Sequence, residues 1–392
     1  MLSNKMCAIL NLMENDSKLK PLTNRRPIAT LPFASRYRLI DFQLTSLYGA
    51  EIGSAAIFIE GSGHSLYDHI RSGSAWGLDS TIGGGVFTHS QLELKGKDNF
   101  EKSQASYFED QRSYVKKSKA DYVVIMGSQM LCNIDLQAVL RYHKERGAAV
   151  TAIYKNVPTN DSLFEKDVCY YEFADKGSAD IQSIKEVDQE ATSSHERLPI
   201  QMRYEIVCVD KFLEYLDSAE KNDAPHDMGF ISEYALEAGD KISGYEYTGY
   251  LKDIDSTQSY FEANMEMLDD VNYNALFYRN QQVITKAKNG APTYYAETAN
   301  VKNVLVATDC IIEGEVENAV LFRKVEIKKT ASVKNAVIMQ GAKIAEDTEL
   351  NYVILDKNVK IEPGVKLIGT PEKPIVVKKN EVIHQSEGAL NQ

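Results

Sequence analysis

The stretch VENAVLFRKVEIKKTASVKNAVIMQGAKIAEDTELNYVIL, residues 316–355, decides half of the fold. Its opening VENAV (Val316–Val320) returns as VKNAV (Val333–Val337) and, more loosely, as LNYVI (Leu350–Ile354), each 17 residues after the last, with Leu367 next in series. Ile327, Ile344 and Ile361 keep the same interval, as do Leu321, Ile338 and Leu355. Several independent registers on one period of about three hexapeptides fit the coils of a parallel β-helix, with apolar side chains stacked inward. An antiparallel sandwich would alternate with period two and need not hold a 17-residue register. The spacing therefore predicts a β-helix with a C-terminal tail over residues 300–392. A linker at 276–299, which contains Asn289-Gly290 and Pro292, should precede it.

Upstream, residues 1–275 have another texture, in which short apolar runs alternate with helical patterns. Met6–Leu12, Ala55–Ile59, Asp121–Met126, Ala148–Tyr154 and Glu205–Val209 read as buried strands. His64–Ile70, Leu136–Lys144 and Lys211–Leu216 read as helices. Near-continuous apolar strands between helices imply an α/β domain with a mainly parallel sheet covered on both faces. Ligands in such sheets bind beyond the carboxyl ends of the strands, so chemistry should be sought in the loops after residues 12 and 126.

The 392 residues suffice for two or three domains. A net charge of −12 and an isoelectric point near 5.2 argue against a nucleic-acid partner. Cys7, Cys132, Cys169, Cys208 and Cys310 are odd in number and never form a CxxC pair. They fit free thiols of a reducing compartment better than a disulfide framework or zinc site. The N-terminus shows no signal-peptide pattern, and no apolar run approaches the length of a membrane span. The expectation is a cytoplasmic protein.

Residues 19–42, LKPLTNRRPIATLPFASRYRLIDF, follow the first strand. Their most specific pieces are Pro21-Leu22-Thr23 and Arg36–Phe42 (RYRLIDF), to which His64-Ser65-Leu66 and Tyr250-Leu251-Lys252-Asp253 add support. The segment resembles the opening signature of the sugar-1-phosphate nucleotidyltransferases, and the chain as a whole resembles bacterial ADP-glucose pyrophosphorylase (glucose-1-phosphate adenylyltransferase). The resemblance covers nearly the whole chain. It implies a Rossmann-like mixed-sheet nucleotidyltransferase domain followed by a left-handed parallel β-helix, an α/β fold class.

The same resemblance exposes what is missing. Family members join strand to signature through a glycine-rich loop, GGGxGTRLxPLT, whose N–H groups close around a triphosphate. This chain has Leu12, Met13 and Glu14 there, bulk and a negative charge. The family's loop arginine maps to Lys18, which keeps the charge without the bidentate fork. The lysine of its RAKPA segment maps to Ile28, and the first metal-holding aspartate to Ser128 in VVIMGSQM. A hydroxyl is no substitute for a carboxylate on a hard cation. The second metal aspartate retains a counterpart in Asp253. The glycine of a substrate motif maps to Ser103 in Phe100–Tyr107, and a sugar-phosphate lysine falls near Val187. No intact catalytic set, no metal site and no tightly bound cofactor are expected, Mg²⁺ belonging to a catalytic partner.

Arg25, Arg26 and Arg38 keep their charge where catalytic groups did not. In bacterial relatives, basic residues at matching positions belong to a sugar-phosphate activator site, although that site's histidine is Pro32 here. They are the regulator-binding candidates, ion pairing at the surface being the plain alternative. Gly83-Gly84-Gly85 precedes Val86-Phe87 with no following helix, and reads as a turn rather than a phosphate loop. His226-Asp227 reads as a loop cap, and His64 and His69, five apart, do not suit helical metal ligation.

The expected function is a catalytically deficient, regulatory subunit beside a homologous catalytic subunit, assembled as a hetero-oligomer (heterotetramer), or as a homo-oligomer when alone, with a sugar-phosphate effector in bacterial glycogen synthesis. The alternatives are an active sugar-1-phosphate nucleotidyltransferase, a free-standing sugar-phosphate sensor, and an acyltransferase. The last lacks the usual β-helix histidine, since residues 300–370 contain none.

Overall fold

The computed structural model describes residues 5–80, 84–90, 107–161, 168–222 and 231–385. Contacts divide the chain into two compact units. The first holds Met1–Glu14, Phe42–Asp253 and Asn280–Ile284; the second holds Asn15–Asp41, Ile254–Arg279 and Thr285–Gln392. The division is not linear along the chain: the signature segment 15–41 folds with the C-terminal repeat.

The first unit is built on a sheet of nine strands among the described residues. They are β1 (Met6–Leu12), β2 (Ser54–Ile59), β3 (Gly85–Ser90), β4 (Tyr122–Met126), β5 (Val150–Pro158), β6 (Cys169–Phe173), β7 (Ile181–Glu186), β8 (Arg197–Cys208) and β9 (Ile242–Glu246). The main order is β7-β6-β8-β4-β1-β2-β3, with β5 on β8 and β9 on β5. Strands β3, β2, β1 and β4 run parallel, and β1 is buried at every position. The other half is mixed rather than parallel, correcting the mainly parallel expectation. The 12-residue β8 runs antiparallel to β4 and β5, and β6 pairs antiparallel with β7. Strands joined by hairpin-like returns need no crossover helix, and apolar runs alone do not distinguish the two directions.

The second unit is a left-handed parallel β-helix with appended segments. The predicted columns are formed in register: Val316, Val333, Leu350 and Leu367 pair in sequence, as do Leu321, Ile338 and Leu355. Ile327, Ile344 and Ile361 stack at 0, 0 and 2 % exposure. Each fully buried side chain of this kind contributes ~1.5–3 kcal/mol. Coil corners use left-handed backbone at recurring positions. Asn303, Asn318, Asn335 and Tyr352 form one such series, and Lys324, Gly341, Asn358 and Asn380 another. Asparagine and glycine tolerate that conformation best, which is why they recur at the corners.

Candidate functional site

Two regions of the fold gather the sequence candidates, one in each unit. In the first, β1 and β4 are parallel neighbours, Leu10 opposite Met126, so the loops after them emerge together. Tyr204 on β8 holds the second loop: its hydroxyl meets the Gly127 and Met130 carbonyls at 3.2 and 2.9 Å and accepts from Gln43 Nε2.

Glu14 closes the gap between these loops. Its carboxylate accepts from the Ser128 N–H, from the Gln129 N–H at 2.7 Å and from Ser128 Oγ at 2.7 Å. Burial raises the Glu14 pKa, while the three donors and the Arg203 guanidinium favour the charged form. Gly127 lies so close that a Cβ there would meet Glu14 Oε1 at 2.4 Å. Converging N–H groups at a strand end form the kind of nest that receives an anion; here an internal carboxylate fills it. Beside it, buried Asp253 accepts from Gln129 Nε2 at 2.8 Å, in a short antiparallel ladder with Met130–Leu131. Ser128 thus meets Glu14, and its neighbour Gln129 links the same loop to Asp253.

This donor set does not fit a hard cation. Mg²⁺ takes carboxylate oxygens and water in octahedral geometry. The Ser128 hydroxyl is committed to Glu14, and Asp253 is bonded by an amide. Among the described residues no group of three or more His, Cys, Asp or Glu is placed to hold a metal. Lys18 and Ile28 belong to the second unit, Lys18 exposed and Ile28 3 % exposed in the turn Ile28–Thr30.

The second region is basic, and its parts come from β-helix positions 17 residues apart. Phe322, Met339 and Asp356 form one column; Arg323, Gln340 and Lys357 form the next. Arg26 packs on the first, pairing with Asp356 at 2.7 Å while its Nε donates to the Leu22 carbonyl and its Nη2 reaches Met339 Sδ at 3.7 Å. Both partners of the ion pair are at least nine-tenths buried. This corrects the regulator-binding expectation for Arg26, whose guanidinium is committed inside the fold. Arg25 next to it is exposed.

Arg38 lies against the second column. With Lys288, Arg323 and Lys357 it lines a small cavity that also includes Ser35, Tyr37 and Gln340. Lys288 is pushed down to about 8 by burial and by Arg38 and Arg323; Lys357 is pushed down to about 7 by burial and by Arg38 and Arg26. Ser35, Lys288 and Arg323 also line a wider cleft of about 550 Å³, walled by Thr293, Tyr295 and Thr308. Lys288, Arg323 and Lys357 were not singled out in the sequence. The available signal was the 17-residue register that puts Arg323 and Lys357 two coils apart on one face.

Other candidates fall elsewhere. Gly84 and Gly85 begin a sheet edge, Gly85 N–H bonding the Gly53 carbonyl at 2.8 Å, and a Cβ on Gly84 would strike that carbonyl. Close backbone approach accounts for the glycine. His64 is exposed and His69 buried beside Trp76. Val187 packs on the small cluster around Val168 and Leu198. Ser103, Gly83 and His226-Asp227 lie outside the described residues. The five cysteines are free thiols, and no described helix is long and apolar enough to cross a membrane.

Comparison with known proteins agrees with this architecture. Residues 15–270 match the nucleotidyl transferase family, and residues 291–374 match the GlmU-like C-terminal hexapeptide family. The glycogen biosynthesis protein GlgD of Bacillus subtilis (strain 168) is 32 % identical over 387 residues, covering 97 % of this chain and 98 % of that protein. The glucose-1-phosphate adenylyltransferases of Bacillus cereus (strain ATCC 10987 / NRS 248) and Bacillus thuringiensis (strain Al Hakam) are each 28 % identical over 386 residues, covering 98 % of both chains. Family match and full-length similarity agree: the chain belongs to the nucleotidyl transferase family, in its ADP-glucose pyrophosphorylase branch together with GlgD.

Proposed function

We infer that this protein is a regulatory, catalytically deficient subunit of a heteromeric glucose-1-phosphate adenylyltransferase in cytoplasmic glycogen biosynthesis. The observation that carries the reading is the Glu14 carboxylate seated on the Ser128 and Gln129 N–H groups. Nucleotidyl transfer needs a triphosphate held in line and neutralised by Mg²⁺ and cations. Here the Glu14 carboxyl group occupies the strand ends, the position of the first metal carboxylate is Ser128, and Ile28 is apolar. In this reading Mg²⁺ and nucleotide belong to a homologous catalytic subunit.

The basic region supports the regulatory half. Arg38, Lys288, Arg323 and Lys357 in a chain of net charge −12 offer a local seat for a phosphoryl group, the adjoining cleft taking the remainder of a sugar phosphate. Bound anion would bias the partner's equilibrium through this subunit, a coupling of typically ~1–3 kcal/mol. The test is co-expression with a catalytic homologue. One complex should form, and its activation by sugar phosphates should differ from that of the catalytic subunit alone and weaken in Arg38→Ala. Failure to co-purify, or identical activation curves with and without this chain, contradicts the reading.

A further inference from the structure

A third β-helix column, distinct from the two basic-region columns, faces a groove of about 500 Å³ beside the helix Thr257–Glu266, all within the second unit. Asn303, Asn318 and Asn335 occupy one left-handed corner on successive coils, with φ of 52, 50 and 45°. Their amides line up as a ladder along the groove wall with one bonded rung, Asn303 Nδ2 donating to Asn318 Oδ1 at 2.8 Å. The next coil breaks the pattern. Tyr352 takes the corner at φ 52°, a conformation that a bulky residue rarely adopts, and Asn335 turns its amide to Asn351 instead, at 2.9 Å. The Tyr352 ring lies 6.2 Å from that of Phe261 across the groove. A strained aromatic where asparagine would be easy points to a use for the ring.

The remaining wall chemistry narrows that use. Glu262, Asp269 and Glu372 line the groove, and no lysine or arginine stands among its described lining residues. Three carboxylates without a cation disfavour phosphates and other anions. Planar amides and carboxylates pair with vicinal hydroxyls, while an aromatic face receives the C–H side of a sugar ring. Neighbouring coils stand ~4.8 Å apart, so the amides repeat on the scale of one sugar residue. We propose that this groove is a binding site for a neutral oligosaccharide, seated with a ring on Tyr352 and its hydroxyls along the Asn303–Asn318–Asn335 ladder. Asn318 Oδ1 is held by Asn303, which leaves the Asn318 Nδ2 group to donate to the ligand.

The site is tested on the full chain with maltotriose and cellotriose as probes, by saturation-transfer NMR and titration. Tyr352→Asn restores the ladder residue, and Asn318→Asp keeps the acceptor and the corner while removing the amide donor. At least one trisaccharide should bind with a dissociation constant of about 1 mM or tighter. Affinity should not change with ionic strength. Each variant should weaken it about tenfold, the loss of one good contact. Asn318→Asp should melt near the parent, and Tyr352→Asn should stay folded, easier left-handed backbone offsetting the lost ring contact with Phe261. Absence of binding by both trisaccharides up to tens of millimolar overturns the proposal. Binding that is unaltered in both variants, or that collapses with added salt, also overturns it.

Discussion

The strand-end region around Glu14 and the basic region around Arg38 gather opposite kinds of group. At the strand ends stand a carboxylate plug, a hydroxyl and an amide-bound aspartate. In the basic region, four cations still face one cavity, although their mutual repulsion and burial depress Lys288 and Lys357. A cluster of partly buried like charges is costly, and here Asp41 acts on Lys288 and Asp356 on Lys357 to offset part of that cost. The contrast separates what a fold keeps for holding its shape from what it keeps for a ligand. Arg26 belongs to the former group, and the proposed function places Arg38 in the latter.

The largest expected effect concerns the scaffold that carries the basic columns. Ile344→Asp places an unpaired charge in the Ile327–Ile344–Ile361 stack, a cost of several kcal/mol. Circular dichroism melts should show the β-helix transition lost or lowered by tens of degrees, and anion binding lost with it. An unchanged melt would show the column to be wrongly placed.

Next comes the split between adjacent arginines. Arg26→Ala leaves Asp356 buried without its partner and should destabilise the second unit by ~3–5 kcal/mol. Arg25→Ala, at an exposed position, should stay within ~0.5 kcal/mol. Denaturant midpoints decide the point, and equal losses would remove the distinction between structural and ligand-facing cations.

Glu14→Ala sharpens the other side. Removing the carboxylate strands the Ser128 and Gln129 N–H groups, at a cost of ~1–3 kcal/mol in denaturant unfolding. It should not restore nucleotidyl transfer, because Ile28 and Ser128 remain. Detectable ADP-glucose formation by this variant would show that neither Ile28 nor Ser128 prevents turnover.

The smallest effect is a pH dependence. With Lys288 near 8 and Lys357 near 7, each folded value lies below the ordinary 10.5, so folding releases protons between those limits. Stability without anion should therefore climb as pH rises above about 7. Stabilisation by added phosphate needs the protonated lysines and should fall over the same range. Thermal-shift titrations at pH 6.5 and 8.5 (both about one unit from the crossover) should show the larger phosphate effect at the lower pH; the reverse order would remove the lysines from the site.

Much of this architecture was legible in the sequence, because the β-helix writes its period directly: Val316, Val333 and Leu350 pair as their spacing demands. The first strands and His64–Ile70 were legible for the same reason, as contiguous apolar or helical runs. The antiparallel course of β8 was not, since direction leaves no mark on a buried strand's composition. At the strand ends, Glu14 could be read as an unwelcome charge, but its bond to residues 114 and 115 positions away could not. Arg25, Arg26 and Arg38 looked equivalent as letters. Their difference is burial, created by Met339 and Asp356 on coils more than 300 residues downstream.

The most direct test of the account is the turnover of the purified chain alone, supplied with saturating ATP, glucose-1-phosphate and Mg²⁺. The account predicts no ADP-glucose above background. Turnover in the ordinary enzymatic range of ~1–10³ s⁻¹ would contradict it.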